Sequence, residues 1–273
     1  MPPRVLVIAA AAALVSLAAT AADDPGKVDG TLQAAGRTIR LDHVLIVYSG
    51  NEEGLDDAPR LRVYLSDAPI PLQLAGGAST LRAQAWARNA KISAVVIRAD
   101  PTGKDQGGVA DVLAAPGLEP GMFASLARSD GFAPLRVAGG RASGVASFGN
   151  DSTVVKAKFD APVITVPIAQ DLKDSAAADS APAKAWLAYM AGLRKGDFKE
   201  AARHATQVRM QQLEQFRTQA GEIFKNMAKQ MPDGSALARQ VRRVIVRGDL
   251  ASVVLSTKEV NELVREGADW KVD

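Results

Sequence analysis

Two histidines and no cysteine set the limits on the chemistry open to this 273-residue chain. His43 and His204 fall in different halves, so neither half can assemble a multi-histidine metal centre. The lack of cysteine excludes disulfides, thiolate zinc sites, iron–sulfur ligation, a cysteine nucleophile and a lipidated N-terminal cysteine. Ser125, Ser129 and Ser143 have no recognisable base nearby in sequence, and no Gly-x-Ser-x-Gly elbow is present. A Walker loop, a zincin helix and a dinucleotide fingerprint are also missing, so no cofactor and no metal are expected. The acidic stretch from Asn51 to Asp57 offers carboxylates, but not at the spacing of an EF-hand loop. A charged hairpin connection that keeps a sheet edge soluble fits it better, with a loop-built calcium site as the alternative.

The elements that carry these residues divide the chain in two. From about 25 to 168, short β-branched or alternating runs are separated by Gly, Pro, Asp and Asn. Thr38 to Tyr48, Leu61 to Leu65 and Ile92 to Ile97 read as strands, with a short helix over Ser79 to Asn89. Gly144 to Phe148 and Thr153 to Phe159 flank Gly149-Asn150-Asp151, a hairpin turn signal. Gly139, Gly140 and Gly144 read as turn glycines. This spacing predicts an antiparallel β-sandwich-like domain or a partly open barrel. His43 lies inside one of its strands, on the face opposite Asp42, where a structural role is the ordinary one.

Residues 169–182 are rich in Asp, Ser, Ala, Lys and Pro and have no apolar period, which reads as an exposed tether. Beyond it, 183–273 switches to helices and then strands. Trp186, Leu187, Met190 and Leu193 share one helix face. Gly196 suits a left-handed helix end, and Asp197 with Glu200 forms a capping box for the next helix. His204 follows near that helix's end, where a cation suits the dipole. Val208 to Met231 predicts a long amphipathic helix with Leu213, Phe216, Ala220, Phe224, Met227 and Met231 on one face. Pro232-Asp233-Gly234 reads as its stop. Strands at Val241–Arg247 and Ala251–Thr257 flank the hairpin pair Gly248-Asp249, and Val260–Arg265 and Asp269–Val272 follow. Overall the class is α+β.

The run Lys184 to Phe198, Lys-Ala-Trp-Leu-Ala-Tyr-Met-Ala-Gly-Leu-Arg-Lys-Gly-Asp-Phe, resembles the small exported NTF2-like domains. The terminal Gly267-Ala-Asp-Trp-Lys-Val272 carries the same resemblance, which spans about 90 residues. It implies a cone of helices on a curved sheet, with Trp186, Tyr189, Phe216, Phe224 and Trp270 lining or filling its interior. In NTF2-like enzymes a carboxylate or His inside the cone acts on a small apolar substrate. The polar candidates here are Asp197, His204, Tyr189 and Asp249. Asp197 is already explained as a cap and Asp249 as a turn residue, which leaves no convergent acid–base pair. The N-terminal part, through Leu41-Asp-His-Val44, Leu61 to Pro69 and Phe159-Asp-Ala-Pro162, more distantly resembles a β-rich module of bacterial exported proteins.

The first 21 residues fit an export signal. A positive start at Met1-Pro-Pro-Arg4 precedes an uncharged apolar stretch, Val5 to Leu17, and the small-residue site Ala19-Thr20-Ala21. The apolar run is shorter than the roughly 20 residues a spanning helix needs. A cleaved signal and a periplasmic or secreted protein are expected, with a retained N-terminal anchor as the alternative. Composition agrees with a folded product: 47% hydrophobic, 23% charged and 5% aromatic. Residues 22–167 carry 15 basic and 16 acidic side chains, whereas 180–273 carry 16 and 11. The basic half suits an envelope partner or an anionic surface, although a solvated helix face explains it as well. No aromatic platform accompanies the charge, so nucleic acid is not indicated. Together these features favour a non-enzymatic binding or assembly protein, with a pocket-using enzyme or small-molecule carrier as the rival.

Overall fold

A computed structural model describes residues 26–49, 60–72, 80–100, 109–118, 124–126, 133–219, 221, 226 and 229–273. The expected export segment 1–21, the acidic stretch 51–57, Ser129 and Phe224 lie outside the described residues. The fold is mixed α+β, with two sheets and six helices among the described residues.

The first sheet is built from β1 (Lys27–Ala34), β2 (Arg37–Leu41), β3 (His43–Ser49), β4 (Arg60–Ser66) and β5 (Ala94–Ala99). It continues with β6 (Val109–Ala114), β7 (Ala124–Leu126), β8 (Ala133–Ala138), β9 (Arg141–Gly149) and β10 (Thr153–Thr165). The order is β2-β1-β10-β3-β4-β5-β6-β7, with β9 also on β10 and β8 beyond β9. All pairings are antiparallel except β10 with β3.

The 13-residue β10 explains the shape. Its stretch from Thr153 to Asp160 pairs with β1, and Val154 to Pro162 pairs with β9. Past that point, Val163 to Thr165 run parallel to β3. One strand thus serves both portions of the sheet, which curls around a shared core. Leu32, Leu41, Ile46, Leu61, Val95, Phe148, Val155 and Phe159 meet there, all buried. The expected antiparallel β architecture is present at this level: two portions, β2-β1-β10-β9-β8 and β10-β3-β4-β5-β6-β7, share β10 around that core.

A helix covers the outer face of β3 to β6. On α1 (Thr80–Asn89), Ala83 and Ala87 pack with Val47, Tyr64, Val96 and Leu113. Strand β5 is therefore buried on both faces, which is why Ala94-Val-Val-Ile97 reads as a continuous apolar run. The single strand expected over Thr38 to Tyr48 is two. Asp42 breaks it where its N–H donates to the Ser66 carbonyl at 2.9 Å, and the chain turns from β1 to β4 as its partner. The Gly149-Asn150-Asp151 turn joins β9 to β10, and the Asn150 side chain accepts from Ser152 N at 3.0 Å and Thr153 N at 2.8 Å.

The second sheet has the order β11-β12-β13-β14-β15, antiparallel throughout. Its strands are β11 (Gln170–Lys173), β12 (Val241–Arg247), β13 (Leu250–Leu255), β14 (Val260–Glu266) and β15 (Asp269–Val272). The helices between β11 and β12 are α2 (Asp174–Ala178), α3 (Ala181–Lys195), α4 (Phe198–Arg203), α5 (Gln207–Gln219) and α6 (Gly234–Gln240).

One expectation needs correction here, and two are refined. The stretch 169–182 is not an exposed tether. Gln170–Lys173 is an edge strand on β12, Arg243 of β12 grips Asp171 of β11 at 2.7 and 2.8 Å, and Ala177 of α2 is fully buried. Along the long helix expected over Val208 to Met231, α5 covers Gln207–Gln219 and buries no residue completely, and the described residues 221, 226, 229 and 230 are helical too. Finally, Pro232-Asp233-Gly234 does more than stop a helix. The Asp233 carboxylate accepts from Ala236 N at 2.8 Å and so caps the start of α6.

Other local expectations hold. Gly196 ends α3 at φ +69°, and Asp197 caps α4 by accepting from Glu200 N at 2.9 Å. The Glu200 side chain does not complete the box. It turns instead to Arg203 at 2.8 Å.

Candidate functional site

The strongest candidate is the interior between α3 and the second sheet. Alternation along β12, β13, β14 and β15 sends Val244, Val246, Ala251, Val253, Leu255, Leu263 and Val272 to the face that α3 covers. From α3, Trp186 and Tyr189 enter this layer three residues apart, on one helix face, and only 2% and 1% of their surface is exposed. Five alanines share the cluster, at 177, 183, 201, 205 and 251. Small residues leave room that the two large rings take up, which gives this core its bulk despite few aromatics.

The polar ends of the rings differ. Arg209, near the start of α5, donates through Nε to the Tyr189 hydroxyl at 3.3 Å. The Trp186 indole Nε1 has no hydrogen-bond partner among the described residues. A buried donor left unmade carries a desolvation cost of about 1–3 kcal/mol. This interior therefore offers an unclaimed N–H, a phenol and a guanidinium.

Other predicted residues fall away from it. Phe216 is 40% exposed and Phe224 lies outside the described residues. Trp270 is half buried at the sheet's end, with Arg265 over its ring at 5.9 Å. His204 is the last-turn cap of α4 and lies 3.5 Å from Glu200, outside the interior. Asp249 sits in the β12–β13 turn and accepts from Arg265 at 2.6 and 2.9 Å. Asp197, His204, Tyr189 and Asp249 are thus not brought together.

Among the described residues the buried carboxylate is Asp111, and it belongs to the first sheet. It accepts from Ser125 Oγ at 2.6 Å and from Arg98 Nη2 at 2.8 Å. Sequence reasoning gave Ser125 no base nearby. The register Asp111↔Ser125 across β6 and β7 supplies one that no linear motif announces. With no imidazole in the group, a carboxylate bonded to Arg98 is a weak base for a serine, and the arrangement reads as a satisfied polar network. On β4, the Tyr64 hydroxyl is held above its usual pKa by burial, against the opposing pull of Arg62.

No family model, no curated protein and no solved structure matches this chain.

Proposed function

We propose that the chain is an exported, non-enzymatic envelope protein whose NTF2-like second half and curled β-rich first half serve in binding or assembly. The observation that carries this reading is the closed α3–sheet interior. Trp186 and Tyr189 fill it, and the buried polar residues of that half, Thr206 and Ser252, include no carboxylate and no imidazole among the described residues. General acid–base chemistry needs such groups within reach of a substrate. The order of helices followed by an antiparallel meander, the Gly196-Asp197 turn and Trp270 near the end of the last strand support the NTF2-like assignment.

Export is tested by the intact mass of the protein recovered from its host. A mature N-terminus at Ala22 or Asp23 is expected, and a stable full-length chain held in the membrane fraction counts against it.

One observation favours the rival reading of a small-molecule carrier: the Trp186 N–H without an acceptor. An apolar guest bearing a carbonyl or carboxylate would supply it. Native mass spectrometry of the host-derived protein separates the two. A co-purifying small molecule that is lost in Trp186→Phe establishes the carrier, and a bare chain supports the packed interior.

A further inference from the structure

The geometry points to a phosphoryl-binding site in a cleft outside the α3–sheet interior, so it stands independently of the function proposed above. The cleft has a volume of about 580 Å³ and opens where the start of α3, the end of α4 and β15 come together. That volume lies within the range of small-molecule sites. Lys184 comes from α3, Arg203 and His204 from the end of α4, and Lys271 from β15. Asp269 is the acid in the lining, and Trp270 supplies an apolar wall.

A backbone device brings these groups together. Ala205 forms an isolated parallel bridge with Val272. Val272 N donates to the His204 carbonyl at 2.7 Å, and Thr206 N donates to the Val272 carbonyl at 2.8 Å. This pairing holds Arg203 and His204 beside Lys271, although 68 residues separate Arg203 from Lys271 in sequence. The Lys271 ammonium donates to the Arg203 carbonyl, which engages one of its three hydrogens. The elements that carry these cations are therefore joined by main-chain bonds, and the Lys271 ammonium is held on one of them, before any ligand arrives.

The charge balance selects an anion. Glu200 is not part of the lining but lies 2.8 Å from Arg203 and 3.5 Å from His204. The lining itself carries three permanent cations, Lys184, Arg203 and Lys271, against the one carboxylate of Asp269, while Asp273 turns to the Thr206 hydroxyl at 3.1 Å. Lys184 has no carboxylate partner among the described residues. The positive end of the 15-residue α3 lies at the same wall. A phosphoryl group, with about −1.5 to −2 charges and three acceptor oxygens, matches several donors converging from different elements. Its source is either a free phosphorylated small molecule or a phosphomonoester lipid headgroup.

Two binding arms on the full-length mature chain distinguish these sources. One titrates inorganic phosphate calorimetrically. The other floats the protein with phosphatidylcholine vesicles made with and without phosphatidic acid. Saturable binding in at least one arm is expected. Response to vesicles alone assigns a lipid headgroup, and response to free phosphate assigns a soluble ligand. Lys184→Glu should weaken binding by about tenfold or more while leaving the unfolding midpoint in place, since this exposed side chain has no other role. Lys199→Glu makes the same charge change on an exposed α4 residue outside the cleft and should leave binding intact. The proposal is overturned if neither arm saturates, or if Lys199→Glu weakens binding as much as Lys184→Glu does.

Discussion

Replacing Trp186 with alanine tests the account of the second half most directly. The side chain is 2% exposed and packs among Tyr189, Leu193, Val244 and Val253 in a cluster otherwise rich in alanine. Five members of the cluster are alanines, which cannot extend into the space, so both the lost burial and the cavity count. A loss of about 3–5 kcal/mol is expected. For a unit of this size each kcal/mol moves the thermal midpoint by about 4–8 °C, so the shift should fall between about 12 and 40 °C. Calorimetry of the full chain reads it as displacement of one part of the unfolding profile. Trp186→Phe separates volume from hydrogen bonding. Phenylalanine keeps most of the ring and removes the N–H that lacks an acceptor, whose burial costs about 1–3 kcal/mol. Its loss should stay below half of the alanine loss. If Phe proves as damaging as Ala, something accepts from the indole nitrogen, and the interior holds a guest or a bound water. An unmoved midpoint in Trp186→Ala refutes the burial argument altogether.

Glycine substitutions should rank by space and by backbone angle. At Gly192 an added Cβ would lie 2.7 Å from Ala201 N, so Gly192→Ala should force α3 from α4 and lose about 1–3 kcal/mol in urea unfolding. At Gly196 nothing is within reach, and only φ +69° opposes a side chain, so Gly196→Ala should lose about 1 kcal/mol. Asp111→Ala should lose about 1–3 kcal/mol, because Ser125 is left without its acceptor while half-exposed Arg98 regains water. The hydrogen bond from Arg243 holds the Asp171 carboxyl below its usual range. A depressed folded-state value means the stabilisation is present above the unfolded carboxylate pKa of about 3.9 and is lost as pH falls through the lower folded value. Hydrogen exchange in β11 should therefore rise on acidification through that window, and Arg243→Gln should remove the dependence.

Features encoded by a few adjacent residues were legible. Gly196, Asp197, the Gly248-Asp249 hairpin and the Asn150 turn follow from backbone angle and local side-chain bonds. Trp186 could be placed in a core because its apolar neighbours recur at helical spacing. Legibility failed where distant backbone partners decide the outcome. Gln170–Lys173 looks like linker by composition, yet a strand edge supplies its hydrogen bonds whatever its side chains are. Ala177 is buried by α2 with no bulky residue to announce it. Phe216 fits the apolar period of its helix and still faces outward, because periodicity names a face and not what lies opposite. The Asp111–Ser125 contact and the cleft around Lys271 arise from register across strands, which linear spacing does not carry.

The placement of β10 has a consequence for the order in which the first half can form. It is the last of the ten strands in the chain, yet it lies between β1 and β3, which begin within the first 45 residues. Until Thr165 is available, β1–β2 and β3–β4 have no hydrogen-bonded strand to join them, and each hairpin presents an open edge. Such long-range closure is slow, because loop entropy is lost before the contacts that reward it. Growth of the chain alone therefore cannot complete this sheet piece by piece. The arrival of its final strand is the committing event, and a chain truncated before residue 153 should accumulate as pairs of strands prone to associate with one another.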